Sequence, residues 1–212
     1  MSLLYQQNID EYTRLAIWKI EEEEAFFLKK VPLKNEIAHP HKRLQHLAGR
    51  YLLPYLFPDF PANEISIADT RKPYLPNEEY HFSISHCGNM AAAIVSKDKR
   101  VGIDIELFTD KVFKIQHKFL NETETGMLDG LIEKDEKRKL ITLLWSTKEA
   151  VYKWWSFGNV SFKQAIQVTP FPFSTKGAYS AQFLTADIVI NLKINYRLFE
   201  DFCLSWASQK KT

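Results

Sequence analysis

Between Ile188 and Trp206 apolar and polar residues alternate, and a period of two restricts the backbone to very few folds. Ile188, Ile190, Leu192, Ile194 and Tyr196 alternate with polar residues, and Phe202, Leu204 and Trp206 resume the pattern after Glu200-Asp201. Successive strand side chains point to opposite faces, so the segment is predicted to be a closing antiparallel hairpin. Tyr80–Ile84, Met90–Ser96 and Arg100–Phe108 also read as strands, the last two joined by Lys97-Asp98-Lys99 in a second hairpin. Helical spacing governs two other stretches. From Arg43 to Phe57 it relates Leu44, Leu47, Ala48, Tyr51, Leu52 and Tyr55, with Pro54 expected to kink or end the helix. From Glu133 to Phe157 it relates Leu140, Leu143, Leu144, Val151 and Trp155. Arg14–Lys30 is read as a helix or helical pair with a charged face, ended by Pro32. Helix, strands, helix, strands is an α+β order rather than a βαβ series.

The chain has 212 residues, 45% hydrophobic and 25% charged, enough for one large domain or two small ones. Its 28 basic and 26 acidic residues give a formal charge of +2, so no global field points to a nucleic-acid or membrane partner. Cys87 and Cys203 lie far apart without CxxC spacing, which argues against a disulfide framework and for a reducing, cytoplasmic setting. Met1–Lys19 lacks the short apolar core of a secretion signal, and no apolar run reaches the ~18 residues needed to span a bilayer.

Three clusters carry chemistry. In Val101-Gly102-Ile103-Asp104-Ile105-Glu106 the two carboxylates fall at i and i+2 of a strand and project from one face. They repel each other, and a hard divalent cation with oxygen ligands relieves that repulsion; the bland alternative is a solvated strand face. In Trp145–Lys153, Glu149 and Lys153 are one helical turn apart, which suits either a site or a surface ion pair contributing ~0.3–0.5 kcal/mol. Phe82-Ser83-Ile84-Ser85-His86 ends a strand before Gly88, where hydroxyl, imidazole and backbone N–H groups can meet a phosphate. No third orienting residue accompanies the Ser-His pair, so a hydrolase triad is not inferred. Arg43, His46 and Arg50, at i, i+3 and i+7, share one helix side and read as a solvated or an anion-binding face.

In order and spacing, Arg71-Lys72-Pro73-Tyr74-Leu75-Pro76, Phe82–His86, Val101–Glu106 and Trp145–Lys153 resemble the 4'-phosphopantetheinyl transferase superfamily, in particular its larger two-lobed branch. The resemblance spans roughly residues 43–153. It implies two similar α+β lobes forming a pseudo-dimer within one chain, residues 1–105 and 106–212, with coenzyme A and metal in the cleft between them. Asp104, Glu106 and Glu149 would then hold Mg²⁺, with Mn²⁺ as the alternative, against the coenzyme A pyrophosphate, and Ser85 and His86 would touch its phosphates. Lys72 matches the lysine of the family's GKP motif. Arg50 matches the helix arginine that meets the nucleotide end, with Arg43 a weaker match. The implied reaction moves the phosphopantetheine arm to a serine of an apo acyl or peptidyl carrier protein of fatty-acid, polyketide or nonribosomal-peptide synthesis. Glu149 would take the serine proton directly or through a metal-bound water, and Lys153 would neutralise the leaving group. A monomer is implied.

The chain departs from the family pattern in three places. Arg71 stands where glycine often precedes the lysine-proline pair. Ser156-Phe157-Gly158 keeps only the second of two spaced glycines. Trp154 and Trp155 are bulky for their place and are expected to be packing residues. Two other readings compete with a transferase: a non-catalytic coenzyme A or carrier-binding module, against which the intact set Asp104, Glu106, Glu149 and Lys153 argues, and a Mg²⁺-dependent nucleotide hydrolase.

Overall fold

A computed structural model describes residues 2–32, 37–158 and 160–210. Helices and antiparallel strands alternate in an α+β arrangement that falls into two compact units, one running through Ile103, the other Asp104–Gln209.

The first unit is a four-stranded sheet in the order β1 (Leu3–Asn8), β2 (Thr13–Lys19), β6 (Met90–Ser96), β5 (His81–Cys87). Between β2 and β5 in sequence come the short helix α1 (Glu24–Leu28), the long helix α2 (Pro40–Leu56), and the two-residue strands β3 (Ser66–Ile67) and β4 (Pro73–Tyr74). Helix α2 begins at Pro40, whose missing N–H costs nothing in a first turn, and runs two residues past Pro54 before ending at Leu56. Its Leu47, Ala48, Leu52, Leu53 and Leu56 pack on Ala16, Trp18, Ala91, Ala93 and Val95. The alanines of β6 let the helix approach closely, and Gly49 brings it closer still: a Cβ there would lie 2.5 Å from Ile84 Cγ2.

Two expectations are corrected here. Arg14–Lys30 is not a helix but mostly β2 followed by α1. Leu15, Ala16 and Ile17 are all 0% exposed, and a strand buried on both faces shows an unbroken apolar run instead of alternation. The Lys97–Lys99 turn does not join a hairpin either. Both edges of β6 are taken, by β2 and by β5. Ser96 Oγ accepts the N–H groups of Asp98 (3.4 Å) and Lys99 (3.1 Å), turning the chain out of the sheet. The true hairpin is β5–β6, closed through Gly88 (φ 49°) and Asn89, with Cys87 opposite Met90.

A five-stranded sheet, most of it in the second unit, has the order β7 (Lys99–Leu107), β11 (Phe202–Lys210), β10 (Val189–Leu198), β9 (Lys176–Leu184), β8 (Ile166–Val168). Between β7 and β8 lie α3 (Lys111–Ile115), α4 (Glu122–Gly126), α5 (Lys134–Trp155) and α6 (Phe162–Ala165). Leu140, Leu143, Leu144, Val151 and Trp154 of α5 share one core with Val168, Phe183, Leu192, Ile194 and Ala207 of the strands. The hairpin expected at Ile188–Trp206 is β10–β11, with Ile194 opposite Ala207. Among the described residues no helix is long and apolar enough to cross a membrane.

Candidate active site

In the second unit, β7 delivers Asp104 and Glu106, and α5 delivers Trp145 to Lys153. Lys153 Nζ lies 2.7 Å from Asp104 Oδ1. Asp104 is only 2% exposed. Trp145 Nε1 donates to Glu106 Oε1 at 3.0 Å. Ser146 Oγ donates to the backbone oxygen of Asp104 at 3.3 Å and accepts from Ser205 Oγ at 3.0 Å, so helix, acidic strand and β11 are tied at one point. The alternation of β7 and the pitch of α5 thus bring Asp104, Glu106, Glu149 and Lys153 together.

The electrostatics follow from that crowding. Burial first, and the charge of Asp104 second, push the Glu106 carboxyl up to about 7, against the opposing pull of Trp145 and Lys153. Burial and Asp104 also push Glu149 up to about 7, with Lys153 opposing. Three acids therefore face one ammonium, an excess of negative charge that a divalent cation would relieve. Among the described residues no three histidine, cysteine or acidic side chains converge into a ready metal cage. Mg²⁺ keeps several waters and completes its shell with one or two carboxylates and substrate phosphates, so this oxygen-only donor set fits such an ion.

The first unit holds the predicted cations. Arg50 Nε donates to His46 Nε2 at 2.8 Å across one turn of α2. Burial, then Arg50 and His86, depress His46 to about 4, so its ring is neutral at physiological pH. His86 is exposed at the end of β5 beside the buried Ser85. Gln45 Nε2 donates to the Gly88 carbonyl at 2.7 Å, fixing the β5–β6 turn to α2. Lys72 follows a turn in which Arg71 N–H donates to Ala68 O at 2.8 Å, and burial with nearby Arg100 lowers it to about 8. Arg43 stands apart: its guanidinium binds Glu24 at 2.8 Å and the Ile37 carbonyl at 3.2 Å. The sequence places His46 on the cationic face without showing its bond to Arg50, gives no sign of Arg100, and includes Trp145 and Ser146 in the Trp145–Lys153 cluster without assigning either a role. The i, i+4 spacing of His46 and Arg50 was the available signal.

Trp154 is 4% exposed and Trp155 packs on Phe183 at 4.5 Å, so both are packing residues. Arg71 (φ 65°) and Ser156 (φ 75°) occupy left-handed backbone, which accounts for glycine as the usual residue at both places.

Comparison with known proteins bears on the same segments. A family model described as the 4'-phosphopantetheinyl transferase superfamily matches residues 100–207. Enterobactin synthase component D of Escherichia coli (strain K12) is 32% identical over 123 residues, 53% of this chain and 54% of that protein. Its Salmonella austin counterpart is 31% identical over 122 residues, 53% of this chain and 47% of that one. 4'-Phosphopantetheinyl transferase AcpT of Escherichia coli (strain K12) is 27% identical over 124 residues, 57% of this chain and 62% of that protein. The chain spans about half the length of the curated relatives it matches. With the acidic strand, the α5 cluster and half of the sequence inside the family match, the chain belongs to the 4'-phosphopantetheinyl transferase superfamily.

Proposed function

We propose that the protein transfers the 4'-phosphopantetheine arm of coenzyme A to a serine of an apo acyl or peptidyl carrier protein. The observation that carries this reading is the cluster of Asp104, Glu106 and Glu149 around Lys153 in the unit matched by the family model. The serine Oγ attacks the β-phosphorus of coenzyme A, a new P–O bond forms, and the bond to the departing 3',5'-ADP breaks. Glu149, raised toward neutral pH, is suited to take the serine proton. Lys153 offsets charge on the departing phosphate. Asp104, Glu106 and Glu149 are the proposed Mg²⁺ ligands, with Mn²⁺ as substitute; the ion would supply electrostatic stabilisation of the phosphoryl oxygens.

Arg50, Lys72, Ser85 and His86 are the proposed coenzyme A contacts. Arg43 is the weakest member, its guanidinium being engaged by Glu24. We further propose that the two units are similar lobes of a pseudo-dimer; a sheet with one long helix in each supports this. Two cysteines far apart without CxxC spacing support work in a reducing cytoplasm, and a monomer is proposed.

The test is intact-mass spectrometry of a panel of apo carrier proteins incubated with the protein, coenzyme A and Mg²⁺, with and without chelator. A gain of one phosphopantetheine group that chelation abolishes is expected. Absence of any gain on every carrier overturns the reading.

A further inference from the structure

Lys148 and Glu124 form an ion pair of 2.7 Å in which both side chains are 0% exposed, and the proposed transfer uses neither. Burying two charges is costly unless both are well hydrogen-bonded, and here they are. Lys148 Nζ also donates to the carbonyl oxygens of Phe119 (2.8 Å), Phe162 (3.0 Å) and Ile166 (2.7 Å). Glu124 accepts from the N–H groups of Asn121 (3.0 Å) and Val168 (2.9 Å), and Asn121 completes the box by capping the Glu124 N–H at 2.9 Å. A single ammonium thus gathers the segment before α4, the segment around α6 and helix α5.

Two of the three carbonyls belong to phenylalanines whose rings flank Trp145. The Phe119 ring meets the indole edge-on at 5.1 Å and the Phe162 ring lies against it at 5.5 Å. That indole donates to Glu106 Oε1. We infer that Lys148, paired with Glu124, is a positioning residue for Glu106: it pins the backbones of Phe119 and Phe162, their rings fix the plane of Trp145, and Trp145 fixes the carboxylate. Groups behind a metal-binding carboxylate commonly set its affinity for the ion. The inference rests on Glu106 serving as a metal ligand.

The experiment measures Mn²⁺ binding by electron paramagnetic resonance, with no turnover involved, for wild type, Lys148→Met, Trp145→Phe and the double variant. Wild-type binding that Glu106→Gln weakens supports the metal reading itself; its absence sinks both that reading and this inference. Given wild-type binding, Lys148→Met is expected to weaken Mn²⁺ by about tenfold or more, while adding little once Trp145 is already phenylalanine. Additive losses, or wild-type binding in Lys148→Met, overturn the positioning role. Should Lys148→Met fail to fold, Lys148→Met/Glu124→Gln removes both buried charges together and is read by the same criterion. In transfer assays the loss should show as a raised Mg²⁺ requirement with KM for coenzyme A unchanged; a raised KM alone would count against the inference.

Discussion

Two residues carry backbone strain where the family often has glycine. An L-residue in the left-handed region costs roughly 1–2 kcal/mol, whereas glycine returns about 0.5–1 kcal/mol of that as unfolded-chain entropy. Arg71→Gly is therefore expected to raise Tm by roughly 2 °C in a calorimetric scan, and a fall would show that the arginine side chain more than offsets its backbone. Ser156 differs, because its one Oγ–H is shared between the carbonyls of Lys153 and Trp154, both at 3.1 Å. Ser156→Gly should leave Tm nearly unchanged, since relief of strain and loss of that shared hydrogen bond offset each other. His46 gives a pH dependence of definite sign. Its folded pKa is about 4 against 6.5 in the unfolded chain, so the unfolded state binds the extra proton between those values. Stability is flat in this respect above pH 6.5 and falls as pH drops toward 4, by on the order of 1 kcal/mol after allowing for solvent screening. Denaturant midpoints for wild type and His46→Gln across that window check it; an identical slope in both would remove His46 as the cause. The acids were legible at this scale because alternation puts Asp104 and Glu106 on one face. Their burial was not, since the strand pattern of Val101–Glu106 does not say what covers it.

Elements were legible where one period governed a whole segment. Helix α5 matches its expected bounds within two residues, for its apolar positions serve a single core, and the β10–β11 hairpin begins one residue from its expected start but continues past Trp206 to Lys210. Strand β2 was misread because Leu15-Ala16-Ile17-Trp18 is apolar throughout, and a run buried on both sides has no period to read. Strand β9 went unread: in Lys176–Leu184 small and polar residues blunt the alternation that Tyr179, Ala181 and Phe183 carry. The β6–β7 hairpin failed for a different reason, namely that strand neighbours are chosen by the sheet and not by the nearest turn. Helix α2 supplies the element-scale prediction. In an exposed helix glycine to alanine stabilises by up to about 1 kcal/mol, yet at Gly49 the new methyl would meet Ile84 at 2.5 Å. Gly49→Ala should therefore destabilise by about 1–3 kcal/mol, and Gly49→Ala/Ile84→Ala should recover part of the loss. The clash would be felt on β5, which presents Ser85 and His86, so coenzyme A affinity should fall with it. Unchanged stability would mean that α2 can lift from the sheet without penalty.

For the molecule as a whole, the order of strands matters more than their number. The sheet of the first unit is closed by β1, β2, β5 and β6, all within residues 3–96. Strand β7, carrying Asp104 and Glu106, has one neighbour in its sheet, β11, which spans Phe202–Lys210. Pairings so distant in sequence form late, because loop-closure entropy must be overcome first. A chain stopped after Leu198 is expected to keep slow hydrogen exchange in β5 and β6 and to lose it in the Asp104–Leu107 part of β7; protection retained there would refute the dependence on β11. The same topology bears on synthesis. As the chain leaves the ribosome, its first sheet has every strand it needs long before its acids have theirs, and Ser205, which bonds the Ser146 hydroxyl behind Asp104, is made long after Asp104 itself. A nascent chain can thus acquire a folded first half well before the carboxylates of β7 acquire the strand beside them, and the proposed consumption of coenzyme A would wait for translation to reach β11.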